Sequence, residues 1–248
     1  MTDAISIEQR LQAIMATNLP LQQQLDAILI QGNELLPKDL LQHVLSTIEQ
    51  LIVSGAAEHA LKEGAHIPDF TLPDARGHAV SLSHLLHSGP VVIVFYRGAW
   101  CPYCNLQLHA YQQILPHILT LGASLVAISP QMPDQSLTLM EKQALTFAVL
   151  SDVGNQVARQ FGLVFTIDEA VRTAYQQIGA NLPAYNGNTS WELPMPGTFL
   201  VDQSGIVRLA YVNPDYTRRL DPSLILKQLT DLTCEAPSAQ EMTHLSEK

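Results

Sequence analysis

The chain of 248 residues carries 13 Lys and Arg against 23 Asp and Glu, a formal net charge of −10, with 47% hydrophobic and 15% charged residues. That length suits one substantial domain plus an accessory segment, and the acidic balance disfavours nucleic acid, whose binding needs a basic patch. No apolar run approaches the roughly 18 to 20 uncharged residues that span a bilayer. The start, Met1-Thr2-Asp3-Ala4, has neither the basic segment nor the apolar core of a secretory signal. Three cysteines are too few for a disulfide framework, so a reducing, cytoplasmic setting is expected.

From residue 5 to about 61, apolar residues recur at helical spacing: Ile7, Leu11, Ile14 and Met15, then Leu21, Leu25 and Ile28, then Leu41, Val44, Leu45 and Ile48. Two or three helices are predicted, broken at Leu19-Pro20, Gly32-Asn33 and Pro37 and ended near Ser54-Gly55. This helical extension, residues 1–62, is expected to pack on the main domain. A dimerisation arm or a partner surface is the alternative, which keeps a homodimer open.

Past Gly64 the pattern changes. Residues 68–74 and 79–82, around the turn Ala75-Arg76-Gly77-His78, read as a hairpin, and Ser81 or Ser83 suits the cap of a short helix through Leu85-Leu86. Residues 91–96 form a continuous apolar run, as expected of a strand buried on both faces. The helix after it carries Leu106, Tyr111, Ile114, Leu115 and Ile118, with Pro116 placed to kink it. Strands are predicted at 124–129 and 147–150, and helices near 135–143, 155–161 and 167–178, followed by a loop rich in Asn, Gly and Pro at 181–196. Residues 198–202 and 206–211 flank Gln203-Ser204-Gly205 as a second hairpin. Asp221-Pro222 opens a last helix through Leu229, and the tail, residues 234–248 with Cys234 in it, is polar and expected to be mobile. Strand and helix alternate and an antiparallel hairpin closes the order, so residues 63–233 are expected to form a three-layer α/β sandwich with a mixed central sheet.

Between the strand at 91–96 and the next helix lies Arg97-Gly98-Ala99-Trp100-Cys101-Pro102-Tyr103-Cys104. A thiolate at a helix start is favoured by free N–H groups and the positive end of the macrodipole, which lower its pKa from about 8.5. Pro102 suits the first helical position, and Cys104 follows about one turn later on the same face, a spacing that lets a disulfide close. Zinc sites use the same half-motif, but no second cysteine pair completes one, so neither a metal nor a bound cofactor is expected.

With these segments in order, the chain resembles the thioredoxin superfamily, and within it the peroxiredoxin-like proteins of the alkyl hydroperoxide reductase/thiol-specific antioxidant type. The matching segments are residues 64–73 (GAHIPDFTLP), 95–104 (FYRGAWCPYC) and 196–202 (PGTFLVD) with Gly205, and the likeness covers roughly residues 61–232. It implies a thioredoxin-like fold and a thiol-dependent peroxidase that reduces hydrogen peroxide or organic hydroperoxides. The reaction would pass through a cysteine sulfenic acid and a Cys101–Cys104 disulfide. A thioredoxin- or glutathione-type donor would re-reduce that disulfide.

The family's loop has the form Pro-x-x-x-Thr-x-x-Cys, and its proline, threonine and reactive cysteine fall on Arg97, Cys101 and Cys104; the family's arginine before the closing hairpin falls on Pro196. The departures resemble thioredoxins instead, which carry Trp-Cys-x-x-Cys and a cis-proline where Pro196 stands. The alternative is therefore a thiol–disulfide oxidoreductase, and beyond it a redox-sensing interaction module. Cys101 and Cys104 are the expected catalytic pair: the family alignment makes Cys104 the attacking sulfur, whereas the helix-start argument favours Cys101 as the more exposed thiolate. Arg97 reads either as a cation that stabilises the thiolate and polarises the peroxide, or as a surface arginine on a turn. Trp100 would shape the site, Pro196 and Thr198 would position substrate, Glu192 reads as a solvated loop carboxylate and Cys234 as an incidental thiol.

Overall fold

The computed structural model describes residues 7–235. Three helices open the chain, α1 (Ile7–Met15), α2 (Leu21–Leu35) and α3 (Lys38–Val53), with Pro20 and Pro37 at the N-caps of the second and third. A fixed φ and a missing N–H suit both prolines to a helix start. The hairpin β1 (Thr71–Pro73) and β2 (Ala79–Ser81) leads into α4 (Leu82–Ser88), whose first turn Ser81 caps by accepting from His84 N–H at 3.4 Å. Then come β3 (Val91–Phe95), α5 (Pro102–Thr120), β4 (Ser124–Ser129), α6 (Pro133–Gln143), β5 (Ala148–Ser151), α7 (Gln156–Gln160), β6 (Val164–Thr166) and α8 (Glu169–Gln177). The order closes with α9 (Leu182–Asn186), β7 (Glu192–Pro194), β8 (Gly197–Val201), β9 (Val207–Val212) and α10 (Pro222–Glu235).

The central sheet has five strands in the order β5-β4-β3-β8-β9, with β3 parallel to β4 and antiparallel to β8. It is the mixed sheet of a three-layer α/β sandwich. Because side chains alternate along a strand, β3 sends Val92 and Val94 to one face and Val91, Ile93 and Phe95 to the other, and each set joins a separate buried core. The first core packs under α5 and takes in Ile14, Met15, Leu21 and Leu25 of the extension together with both motif cysteines. Helices α1 and α2 thus share the core of the sheet. Helix α3 packs on α8, and Val44 joins Ile167, Val171 and Tyr175 in a third buried cluster.

Several expectations need correction. Gly32-Asn33 lies inside α2; burial of Leu21 and Leu25 and the packing of Ile28 on the core outweigh the cost of about 1 kcal/mol for an internal glycine. The predicted loop at 181–196 contains α9 and β7, and β7 pairs antiparallel with β6, which was not anticipated. Three-residue strands are too short for an alternating pattern to declare itself. Helix α10 runs to Glu235, so Cys234, expected in the tail, sits exposed on a helix. The rest of the expected tail, residues 236–248, lies outside the described residues, as do residues 1–6. No helix among the described residues is long and apolar enough to cross a membrane.

Because fully buried Leu25 belongs to the sheet's own core, Leu25→Ala should lower stability by about 2–5 kcal/mol and shift one cooperative urea transition as a whole. An unchanged main transition with a separate early step would mean that the extension is an independent arm.

Candidate active site

The motif loop leaves the carboxyl end of β3, the edge of an α/β sheet where ligands collect. Tyr96 N–H still donates to Ile128 O at 3.0 Å, and the chain then turns away at Gly98. Gly98 has φ +153°, and a Cβ there would run into the Trp100 indole, so the turn requires glycine. Three contacts pin the loop: Cys101 N–H donates to Gly98 O at 3.1 Å, Ala99 N–H to Gln131 Oε1 at 2.7 Å, and Asn105 Nδ2 to Ala99 O at 2.9 Å. Cys101 is the N-cap of α5 and Pro102 opens its first turn.

Both thiols are free and buried, at 1% exposure for Cys101 and 0% for Cys104. Exposure therefore does not distinguish them. What does is that Cys101 lines a chamber and Cys104 does not. Burial pushes the Cys101 pKa up, but the hydrogen bond donated by the Cys104 thiol and the Arg97 and Arg219 charges outweigh it and hold Cys101 well below the usual thiol range. Cys104 is raised by its own burial and by the Cys101 hydrogen bond and charge, despite the same two cations. The electrostatics of the reduced pair favour the thiolate at Cys101 and the thiol at Cys104.

Arg97 is no surface residue: it is 2% exposed. Its Nη1 lies 3.8 Å from Cys101 Sγ, its Nη2 donates to Tyr175 Oη at 2.7 Å, and its own backbone N–H points at Cys104 Sγ at 3.4 Å. The guanidinium also packs against three rings, 3.9 Å from the Tyr216 centroid, 4.8 Å from Trp100 and 5.6 Å from Tyr175. Such cation–π contacts hold a charge where water is scarce. From the segment between β9 and α10, Arg219 brings Nη2 to 3.5 Å from Cys104 Sγ. Sequence reasoning missed Arg219, Tyr175 and Tyr216; they come from distant elements, and nothing in their local patterns marks them. The family's arginine position is occupied by Pro196, and a buried guanidinium reaches the sulfurs from elsewhere.

Cys101, Cys104, Arg97 and Trp100 converge, while Pro196 and Thr198 do not line the chamber. Thr198 is buried on β8 and bonds to Gln107 Nε2 at 3.3 Å and Tyr111 Oη at 3.1 Å, about one and two turns of α5 beyond Cys104. Among the described residues no peptide bond is cis, so the expected cis-proline at Pro196 is corrected to trans. The chain runs from β7 straight into β8, with Met195 N–H donating to Leu163 O at 2.8 Å, and an extended trans link carries it. Glu192 is on β7, paired with Arg159 at 2.8 Å.

Above Cys101 is a chamber of about 590 Å³, within the size range of small-molecule sites. Its floor is Arg97, Trp100, Cys101 and Tyr216, and its walls come largely from the extension, including Leu11, Met15, Ile28, Leu36, Leu41 and Leu45. Two hydrogen bonds tie α3 to the floor: Tyr216 Oη donates to Val44 O at 3.4 Å and Tyr175 Oη to Thr47 Oγ1 at 3.5 Å.

Fold and site together define a thioredoxin-fold protein with two buried thiols side by side at the start of α5. The profile of the AhpC/TSA family matches residues 64–210, and the chain belongs to that family. A candidate peroxiredoxin of Mycobacterium tuberculosis is 37% identical over 102 residues, 41% of this chain and 64% of that relative, so the chain spans just under two thirds of it. Chloroplastic peroxiredoxin Q of Sedum lineare is 30% identical over 167 residues, 67% of this chain and 77% of its own length. Among solved structures, the peroxidoxin BcpB of M. tuberculosis superposes with a TM-score of 0.56 at 24% identity, covering 69% of this chain and 98% of that one, a likeness of fold.

The low Cys101 value can be measured directly. In Cys104→Ser, ultraviolet thiolate absorbance should persist as pH falls below the ordinary thiol pKa of about 8.5, and adding Arg97→Met should move the midpoint up by about one unit or more. An unmoved midpoint would mean that Arg97 does not hold the thiolate.

Proposed function

We propose that the protein is a thiol-dependent peroxidase in which Cys101 attacks the hydroperoxide and Cys104 resolves the product. The observation that carries this reading is the pairing of a low-pKa Cys101 sulfur with the Arg97 guanidinium at the floor of a chamber large enough for an organic substrate. The Cys101 thiolate attacks one peroxide oxygen: an S–O bond forms, the O–O bond breaks, and the departing alkoxide takes the proton that Cys104 gives up. Arg97 supplies charge to the oxygen that becomes negative.

Once Cys101 is a neutral sulfenic acid, the neighbouring anion that raised Cys104 is gone, while Arg219 and the Arg97 backbone N–H still face its sulfur. Cys104 thiolate then attacks the Cys101 sulfur, an S–S bond forms, and hydroxide leaves to be protonated by solvent. The sum is two thiols plus one hydroperoxide giving a disulfide, an alcohol and water. A thioredoxin- or glutathione-type thiol returns the two electrons, and a reducing compartment such as the cytoplasm fits two free thiols.

In this reading residues 63–233 carry the chemistry, residues 1–62 cover the site, and Cys234 takes no part. Trp100 shapes the floor of the chamber. Of the two features that favoured the thiol–disulfide alternative, the Trp-Cys-Pro-Tyr-Cys core stands and the cis bond at Pro196 does not. Peroxide consumption coupled to a thioredoxin or glutathione system should fall at least about a thousandfold in Cys101→Ser, as loss of a nucleophile does. Cys104→Ser should give one turnover and then stall. Sustained turnover in Cys101→Ser would overturn the assignment.

A further inference from the structure

We propose, resting on the peroxidase reading above, that the helical extension selects the substrate, and that Gly32 sets the length of apolar chain it admits, favouring a hydroperoxide with an extended alkyl chain. The chamber is far larger than peroxide chemistry requires. Hydrogen peroxide takes up roughly twice a water's share of about 30 Å³, against a chamber of about 590 Å³. The space above Cys101 is walled mainly by apolar side chains of α1, α2 and α3, such as Leu11, Ile28 and Leu41, with Glu8, Gln12 and Gln31 among them; the apolar part rewards an alkyl chain more than a small polar oxidant. Helices α1 and α2 share the sheet's core and α3 packs on α8, so the walls are part of the folded protein.

Gly32 is the position that local structure does not explain. It sits inside α2 with ordinary helical φ, where Ala would be about 1 kcal/mol better. Within 4 Å a Cβ there would meet only Leu41 Cδ1, at 3.8 Å, and Gly32 lines the chamber. No backbone strain or tight packing demands glycine. What a side chain at 32 would do is occupy the chamber between α2 and α3.

Two measurements separate this proposal from the reading beneath it. Binding of unreactive straight-chain alcohols to the reduced protein, followed by Trp100 fluorescence, should tighten by about threefold to fourfold per methylene in wild type. In Gly32→Leu the gain should stop at short chains. In steady state, the ratio of kcat/KM for a long-chain alkyl hydroperoxide to that for hydrogen peroxide should fall at least tenfold in Gly32→Leu. Gly32→Ala should fold at least as stably as wild type, and Leu45→Phe, which fills the chamber from α3, should repeat the effect if Gly32→Leu does not fold.

Alcohol binding without chain-length dependence, or dependence unchanged in both filled variants, would overturn the proposal. Chain-dependent alcohol binding that the filled variants abolish, with no peroxide turnover at all, would support the chamber's selectivity and overturn the peroxidase reading instead.

Discussion

Two guanidinium groups lie buried beside two thiols with no carboxylate paired to either among the described residues. A buried, unpaired cation costs several kcal/mol (order of magnitude), so Arg97 and Arg219 call for a negative charge at the sulfurs. Cys101 supplies it by ionising. The ring contacts and the Tyr175 hydroxyl hold Arg97 in place without neutralising it, which keeps its charge directed at sulfur. The same arrangement bears on the redox balance. Closing the disulfide removes the anion and leaves both cations uncompensated, so the charge pattern favours the dithiol state and eases reduction of the disulfide.

The helical extension makes this arrangement possible. By sharing the core beneath α5 and bonding to Tyr175 and Tyr216, α1 to α3 exclude water from the guanidinium and sulfurs. Low local polarity strengthens every charge–charge contact within. One cover therefore serves two ends: it encloses the cations that hold the Cys101 pKa down against the effect of burial, and it forms much of the wall of the chamber above that sulfur. With Cys101 at 1% and Cys104 at 0% exposure, the proposed re-reduction by a protein thiol would require the helices to part.

Much of the fold was legible in the sequence because its signals are local. The apolar run at 91–96, the glycine turn at Gly98, Pro102 after Cys101 and the hairpin around Gly205 each state their structure within a few residues. Those segments also carried the family resemblance, and the AhpC/TSA profile covers them. The short strands β6 and β7 were not legible, since three residues hold no period, and Gly32 was read as a break because packing outweighs its local preference.

At the site, Cys101 and Cys104 were visible as a spaced pair, but Arg219 was not. Its role comes from the path of the chain between β9 and α10, and no spacing in sequence encodes it. Arg97 was visible as the loop's cation while its burial was not, because the three rings that hold it come from Trp100, Tyr175 and Tyr216, two of them far along the chain. The likeness to thioredoxins at Pro196 misled for a related reason: a proline in sequence does not state the isomer that the neighbouring strands impose.

The central claim is that the chamber-facing sulfur is the one that meets the oxidant. It is tested most directly by exposing the reduced wild-type protein to stoichiometric hydroperoxide with a sulfenic-acid trap present and locating the adduct by peptide mass spectrometry. The account expects the adduct on Cys101; an adduct confined to Cys104 would contradict it.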